Sequence, residues 1–109
     1  MAVSFASNVL VTAADMSASF NSDTVFLAKK DGYAVHAVFT GSPVGSFYIA
    51  ISIDGINFTV LTDSTTAIAA AGDILVEVTT SKYLCFRAYY TKTSGTGTMN
   101  IYFSTKDAN

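Results

Sequence analysis

One histidine, His36, one cysteine, Cys85, and one glutamate, Glu77, make up most of this chain's supply of reactive side chains. A nucleophilic thiol needs a base to take its proton, and acid–base catalysis needs two titrating groups tuned apart. The composition therefore permits a single Cys85–His36 pair, which would make the protein a hydrolase if the two side chains met. Both residues fall on the second face of alternating segments, where a partly exposed ring and a small buried thiol are the ordinary occupants. Together they supply two metal ligands, short of the four of a structural zinc site. Asp54, Asp63 and Asp73 border neighbouring segments, and calcium could take such carboxylates together with backbone carbonyls. Asp54, however, precedes Gly55 at a reversal, where an aspartate serves its own backbone, and the other two suit solvated loops. No catalytic residue, cofactor or metal site is expected.

Recognition chemistry is better supplied. Eight Phe and six Tyr stand against no Trp. The phenylalanines mostly follow the inward-facing positions, whereas Tyr48, Tyr83, Tyr89 and Tyr102 alternate onto the opposite face. Arg87 lies among them, placed to stack on a tyrosine or to pair with Glu77 across a sheet. A solvated face would carry charge, and 13% charged residues are too few to provide it. Tyr48, Tyr83, Tyr89, Tyr102 and Arg87 are therefore the candidate interface, covered by a partner subunit or used as a sugar-stacking platform.

The elements that position these residues follow from length and period. A chain of 109 residues, half of them hydrophobic, holds one core and one domain. Its formal net charge of -2 gives no basic surface for a phosphate backbone, so nucleic acid is not an expected partner. The apolar runs Phe47 to Ile51 and Ala67 to Ala71 are far shorter than the roughly 18 residues of a spanning helix, so no membrane segment is expected. No Lys or Arg precedes Lys29, so the N-terminus lacks the charged start of a secretory signal and reads as mature protein made in a cytoplasm.

Ten Val, seven Ile and fourteen Thr favour pleated strands. Residues alternate in twos over Tyr33 to Thr40, Phe47 to Ile53, Ile74 to Thr79, Tyr83 to Tyr90 and Met99 to Ser104, which sets Ile53 with Phe47, Ile49 and Ile51, and Leu84 with Phe86 and Ala88, on inward faces. Weaker strands are expected at Thr24 to Ala28, Asn57 to Leu61 and around Val9 to Val11. Asp31-Gly32, Asp54-Gly55, the Gly41-Ser-Pro-Val-Gly45 segment and Ser94-Gly-Thr-Gly97 carry reversal chemistry. Thr65 to Ala71 reads as one or two turns of helix or as an ordered loop. The pattern predicts an all-β protein, a single antiparallel β-sandwich of jelly-roll type with about seven or eight strands. Residues 1–22 are expected to form an N-terminal strand or arm, with Ala13 to Ser22 running over the body, and 23–109 the body itself.

Three segments carry a resemblance. Asp31 to Phe47, with its Thr40-Gly-Ser-Pro-Val-Gly45 turn, resembles the strand, turn, strand element of small β-rich virion proteins of bacterial viruses. Ile51-Ser-Ile-Asp-Gly-Ile-Asn-Phe-Thr59 is similar to their Ser-x-Asp-Gly-x-x-Trp hairpin, with Phe58 at the aromatic position. Phe86 to Lys106, with Arg87, Tyr90-Thr91, Ser94-Gly-Thr-Gly97 and Asn100, resembles the family's C-terminal strands. Together they span about residues 24 to 106. The resemblance implies a non-enzymatic β-sandwich accessory protein of the virion, of a kind that serves as capsid decoration or cement, as a spike or fibre module, or as a tail component; the low charge, the tyrosine-bearing second face and the N-terminal arm fit a decoration or cement subunit that forms homo-oligomers and docks on the major capsid protein or another virion protein. The alternative it leaves open is a spike or tail module that recognises a glycan or receptor on the host. The same hairpin occurs in discoidin-like carbohydrate-binding modules, but one hairpin carries no sugar-binding residues across.

Overall fold

The computed structural model describes residues 5–27, 30–61, 64–78 and 83–107. Ten strands follow in order: β1 (Phe5–Asp15), β2 (Phe20–Asn21), β3 (Val25–Phe26), β4 (Lys30–Gly41), β5 (Val44–Ser52), β6 (Thr59–Val60), β7 (Thr66–Ile68), β8 (Gly72–Val78), β9 (Cys85–Ser94) and β10 (Gly97–Asp107). They form two antiparallel sheets. Sheet A runs β1-β10-β4-β8; sheet B runs β2-β9-β5-β6, with β3 also on β9 and β7 also on β5. Counting β2 with β3 and β6 with β7 as two interrupted strands gives eight positions, four per sheet, in the order of a jelly roll. The chain is all-β as expected, and the ten segments resolve into the anticipated number of strand positions.

The two interruptions in sheet B are mended the same way. Between β2 and β3, the Ser22 hydroxyl accepts the Ala88 N–H at 2.9 Å while the Ser22 N–H bonds Ala88 O at 2.8 Å. Between β6 and β7, the Ser64 hydroxyl accepts the Ile49 N–H at 3.1 Å and donates to Leu61 O at 2.8 Å. Ala88 and Ile49 are partners in the β5–β9 ladder, so one row, Ser22, Ala88, Ile49, Ser64, crosses the whole sheet. Both serines are buried. Each hydroxyl stands in for the backbone group that the broken strand fails to supply.

The inward residues of both sheets form the core: Val35, Ala37 and Phe39 of β4, Phe47, Ile49 and Ile51 of β5, Phe86, Ala88 and Tyr90 of β9, and Met99 and Ile101 of β10. Residues 13–22 cross from sheet A to sheet B and seat Met16 in that core, with its N–H bonded to Gly97 O. At the same end the β4–β5 and β9–β10 connections pass between sheets in close contact. Gly95, at φ +79°, would set a Cβ 2.1 Å from Ser42 O, so only glycine fits there. Pro43 is fully buried, and the Tyr90 hydroxyl donates to Val44 O.

Four expectations are corrected. Asp31-Gly32 is no reversal: β4 runs through it, and Gly32 pairs with Lys106. Thr65 to Ala71 contains strand β7 in place of a helix, because Phe47 and Gly45 of β5 offer it a ladder. Ile53 is 77% exposed, because β5 ends at Ser52 and the chain turns out of the sheet. Leu84 is exposed for the matching reason, since β9 starts only at Cys85. Among the described residues there is no helix, and none long and apolar enough to cross a membrane.

Candidate interaction surfaces

The outer face of sheet B holds Tyr48, Tyr89 and Arg87. Tyr48 and Tyr89 are cross-strand partners whose rings stack at 5.2 Å, 5° from parallel. Two residues along β9, Arg87 lays its guanidinium 4.4 Å from the centroid of Phe58 and donates from Nε to Thr24 Oγ1 at 2.7 Å. The expected Glu77 partner is ruled out by topology, since Glu77 lies on β8 of the other sheet. The stacking partner is a phenylalanine in place of a tyrosine.

Phe58 is delivered by the turn that leaves β5. Asp54 Oδ1 accepts the N–H groups of Asn57 and Ile56, both at 2.8 Å, and its Oδ2 accepts Asn57 Nδ2 at 2.7 Å. The Ser52 hydroxyl donates to Asp54 Oδ1 and accepts the Gly55 N–H, both at 2.9 Å. Gly55 takes φ +78°. These bonds, that from the Asn57 backbone N–H foremost, hold the exposed Asp54 carboxyl well below the usual carboxylate range. The Ser-x-Asp-Gly-x-x-aromatic pattern is thus a rigid turn whose last residue caps Arg87.

Tyr102 lies elsewhere. It sits on β10 in sheet A, so the four tyrosines do not share one face. The alternation of β10 correctly points it outward, but outward from the opposite sheet. There it belongs to a row of directly paired residues crossing all four strands: Val9, Tyr102, His36 and Leu75. Val9, Leu75 and Tyr102 are 57%, 58% and 40% exposed. His36 Nε2 sits 2.9 Å from Asp73 Oδ2 beside this row. Tyr83 departs further: it precedes β9, is half-buried and packs against the core near Tyr33.

Of the residues weighed for chemistry, His36 and Cys85 stand on different sheets. His36 faces Asp73 on the outside; Cys85 is buried, which pushes its thiol up. Asp54 and Asp73 serve the contacts just described, and Asp63 lies outside the described residues. Among the described residues no three of His, Cys, Asp and Glu gather where they could hold a metal ion. Val9 and Leu75 were not singled out by sequence, though the alternation placed Leu75 on the outer side. Phe26, Ile53 and Ile56 also emerge as exposed apolar side chains, signalled only by where strands end.

No protein-family model matches the sequence, and no curated protein matches it. Solved structures do resemble its fold. The SPBc2 prophage-derived protein YomS superposes with a TM-score of 0.68 at 11% identity, over 98% of this chain and 96% of that one. The PBSX exported protein XepA gives 0.65 at 17% identity over 95% of this chain, which spans 38% of XepA. The Tobacco streak virus coat protein gives 0.54 at 5% identity, over 97% and 87% of the two chains. At these identities the likeness establishes a shared sandwich fold.

Proposed function

We propose that this chain is a non-enzymatic structural protein of a bacteriophage virion, a capsid decoration or cement subunit that forms homo-oligomers and docks on the major capsid protein or another virion protein. The observation that carries the reading is a jelly roll of the same fold as a prophage-derived protein, with large apolar and aromatic side chains on its outer faces where charge would ordinarily stand. Tyr48, Tyr89 and Arg87 form one contact surface and Tyr102, with Val9 and Leu75, the other; Tyr83 supports the core beneath. Such surfaces bind by area and shape. Mass spectrometry of purified particles from an infected or induced host is the test. The chain is expected in the particles at a stoichiometry matching capsid symmetry, and its confinement to the lysate would overturn the reading.

A second reading has one observation in its favour. Asn21 is the ladder partner of Tyr89, beside the stacked Tyr48 and Tyr89 pair; its Nδ2 donates to Ser22 O at 3.1 Å, and its exposed side chain sets a polar group beside aromatic rings, the combination a glycan site uses. A spike or tail module would bind host glycans on an array, and its signal would fall with Tyr89→Ala.

A further inference from the structure

The two sheets present four edges, and three are blunted. β1 carries two register shifts and a left-handed residue, Ala13, whose N–H is taken by Asn100 Oδ1 at 2.8 Å. Sheet B ends in the two-residue β2 and β3 on one side and the short β6 and β7 on the other. Bulges and short strands are the means by which edges avoid pairing with other chains. β8 has neither. It pairs with β4 without a register shift from Phe39↔Gly72 to Tyr33↔Val78, stands last in its sheet, and among the described residues no other element bonds to its far side.

We propose that β8 is an acceptor edge for an extended segment of a different protein, one with two cationic side chains four residues apart flanking an apolar one. The outer face of β8 reads Asp73, Leu75, Glu77, all exposed, and residues directly opposite in a ladder share a face. An incoming strand that sets an apolar residue against Leu75 therefore places its neighbours two positions away against the two carboxylates. His36 meets one oxygen of Asp73, whose side chain remains 64% exposed.

A second copy's β8 brings no cation to either carboxylate. Two-fold pairing of β8 with itself about Leu75 sets Asp73 opposite Glu77 twice, and like charges directly opposite are destabilising. Nor does another segment of this chain serve. Its six cations are Lys29, Lys30, Lys82, Arg87, Lys92 and Lys106, and no two are four residues apart. The edge thus favours a basic strand over its own kind. This goes beyond the virion reading and does not rest on it: absence from particles leaves it standing, and its own failure leaves that reading intact.

The test uses a blocked nonapeptide, Ser-Thr-Lys-Thr-Val-Thr-Lys-Thr-Ser, titrated into the full chain by calorimetry at low ionic strength. Saturable binding is expected, lost when both lysines become glutamate and weakened roughly tenfold by D73N/E77Q, since each cross-strand charge pair contributes a few-fold. Peptides N-methylated at alternate residues, made in both phases, separate ladder pairing from simple charge attraction. One phase blocks the N–H groups facing β8 and abolishes binding, while the other binds normally. Hydrogen exchange is expected to show new protection on β8, and circular dichroism verifies that each variant is folded. No binding of the lysine peptide, or equal binding by both methylated phases, overturns the proposal.

Discussion

Among the described residues the buried hydroxyl of Tyr33 has no hydrogen-bond partner. Its ring stacks on Phe86 at 4.4 Å, 4° from parallel, and burial pushes the phenol up, with Tyr83 adding to the shift. A buried hydroxyl left unsatisfied costs about 1–3 kcal/mol. Tyr33→Phe keeps the stack and removes the orphan, so we expect it to raise stability by about 1 kcal/mol in urea unfolding. Asp54 is the opposite case, an exposed carboxylate whose partners all favour the ionised form. Its folded pKa is depressed, so its contribution is complete above the unfolded value of about 4 and is lost as pH falls below that toward the folded value. Asp54→Asn is therefore expected to melt below the wild type at pH 7, with the gap narrowing once pH drops under about 4. A gap independent of pH would mean that the loop depends on shape alone. This site was largely legible in advance, because Asp-Gly turn chemistry acts over neighbouring residues. The partner of Arg87 was not: choosing Phe58 over a tyrosine depends on where the turn releases the chain.

At the scale of strands, the serine row of sheet B makes the sharpest prediction. Ser22→Ala leaves the Ala88 N–H without its acceptor, and Ser64→Ala does the same to Ile49. Each should cost about 1–3 kcal/mol, the penalty for an unpaired buried donor. Because Ala88 and Ile49 are ladder partners, the double variant should depart from additivity, which a double-mutant cycle in urea measures. Ser104, half-buried on the outer side of β10, is no participant in such a repair, and its alanine variant should lie within about 0.5 kcal/mol of wild type. The long strands were readable from alternation because a one-residue slip would turn an entire apolar set to solvent. Phe47, Ile49 and Ile51 could face only one way. The broken strands were not readable, since a serine that completes a ladder has the same local signature as a serine in a loop. Asp31-Gly32 failed for a related reason. The dipeptide carries turn chemistry, but Gly32 is held in β4 by Lys106, a partner 74 positions away.

For the whole molecule, alternation says whether a side chain points in or out, and nothing about which of two sheets it points out from. Tyr102 was therefore grouped with Tyr48 and Tyr89, although the sandwich sets it on the opposite side. The protein has two outer faces in place of one, and two faces permit two partners. Four strands about 4.8 Å apart, three of them 11 or 12 residues long, make a face of about 19 by 37 Å. Stable contacts bury about 800 Å² per partner, so a subunit contact on sheet A has to use nearly all of that face, with the Val9, Tyr102, His36, Leu75 row across its middle. Residues at the centre of such a patch dominate its energy. If sheet A is the contact between copies, Leu75→Ser with Tyr102→Ser should convert the oligomer to monomer in size-exclusion chromatography with light scattering. Tyr48→Ser with Tyr89→Ser should leave the oligomer intact and reduce particle binding. All four side chains lie outside the core, so melting temperatures of the separated monomers should change little. The reverse pattern would exchange the two faces, with sheet B joining the copies and sheet A meeting the particle. A wild-type chain that is monomeric at every concentration would remove the homo-oligomer altogether and leave both faces to other proteins.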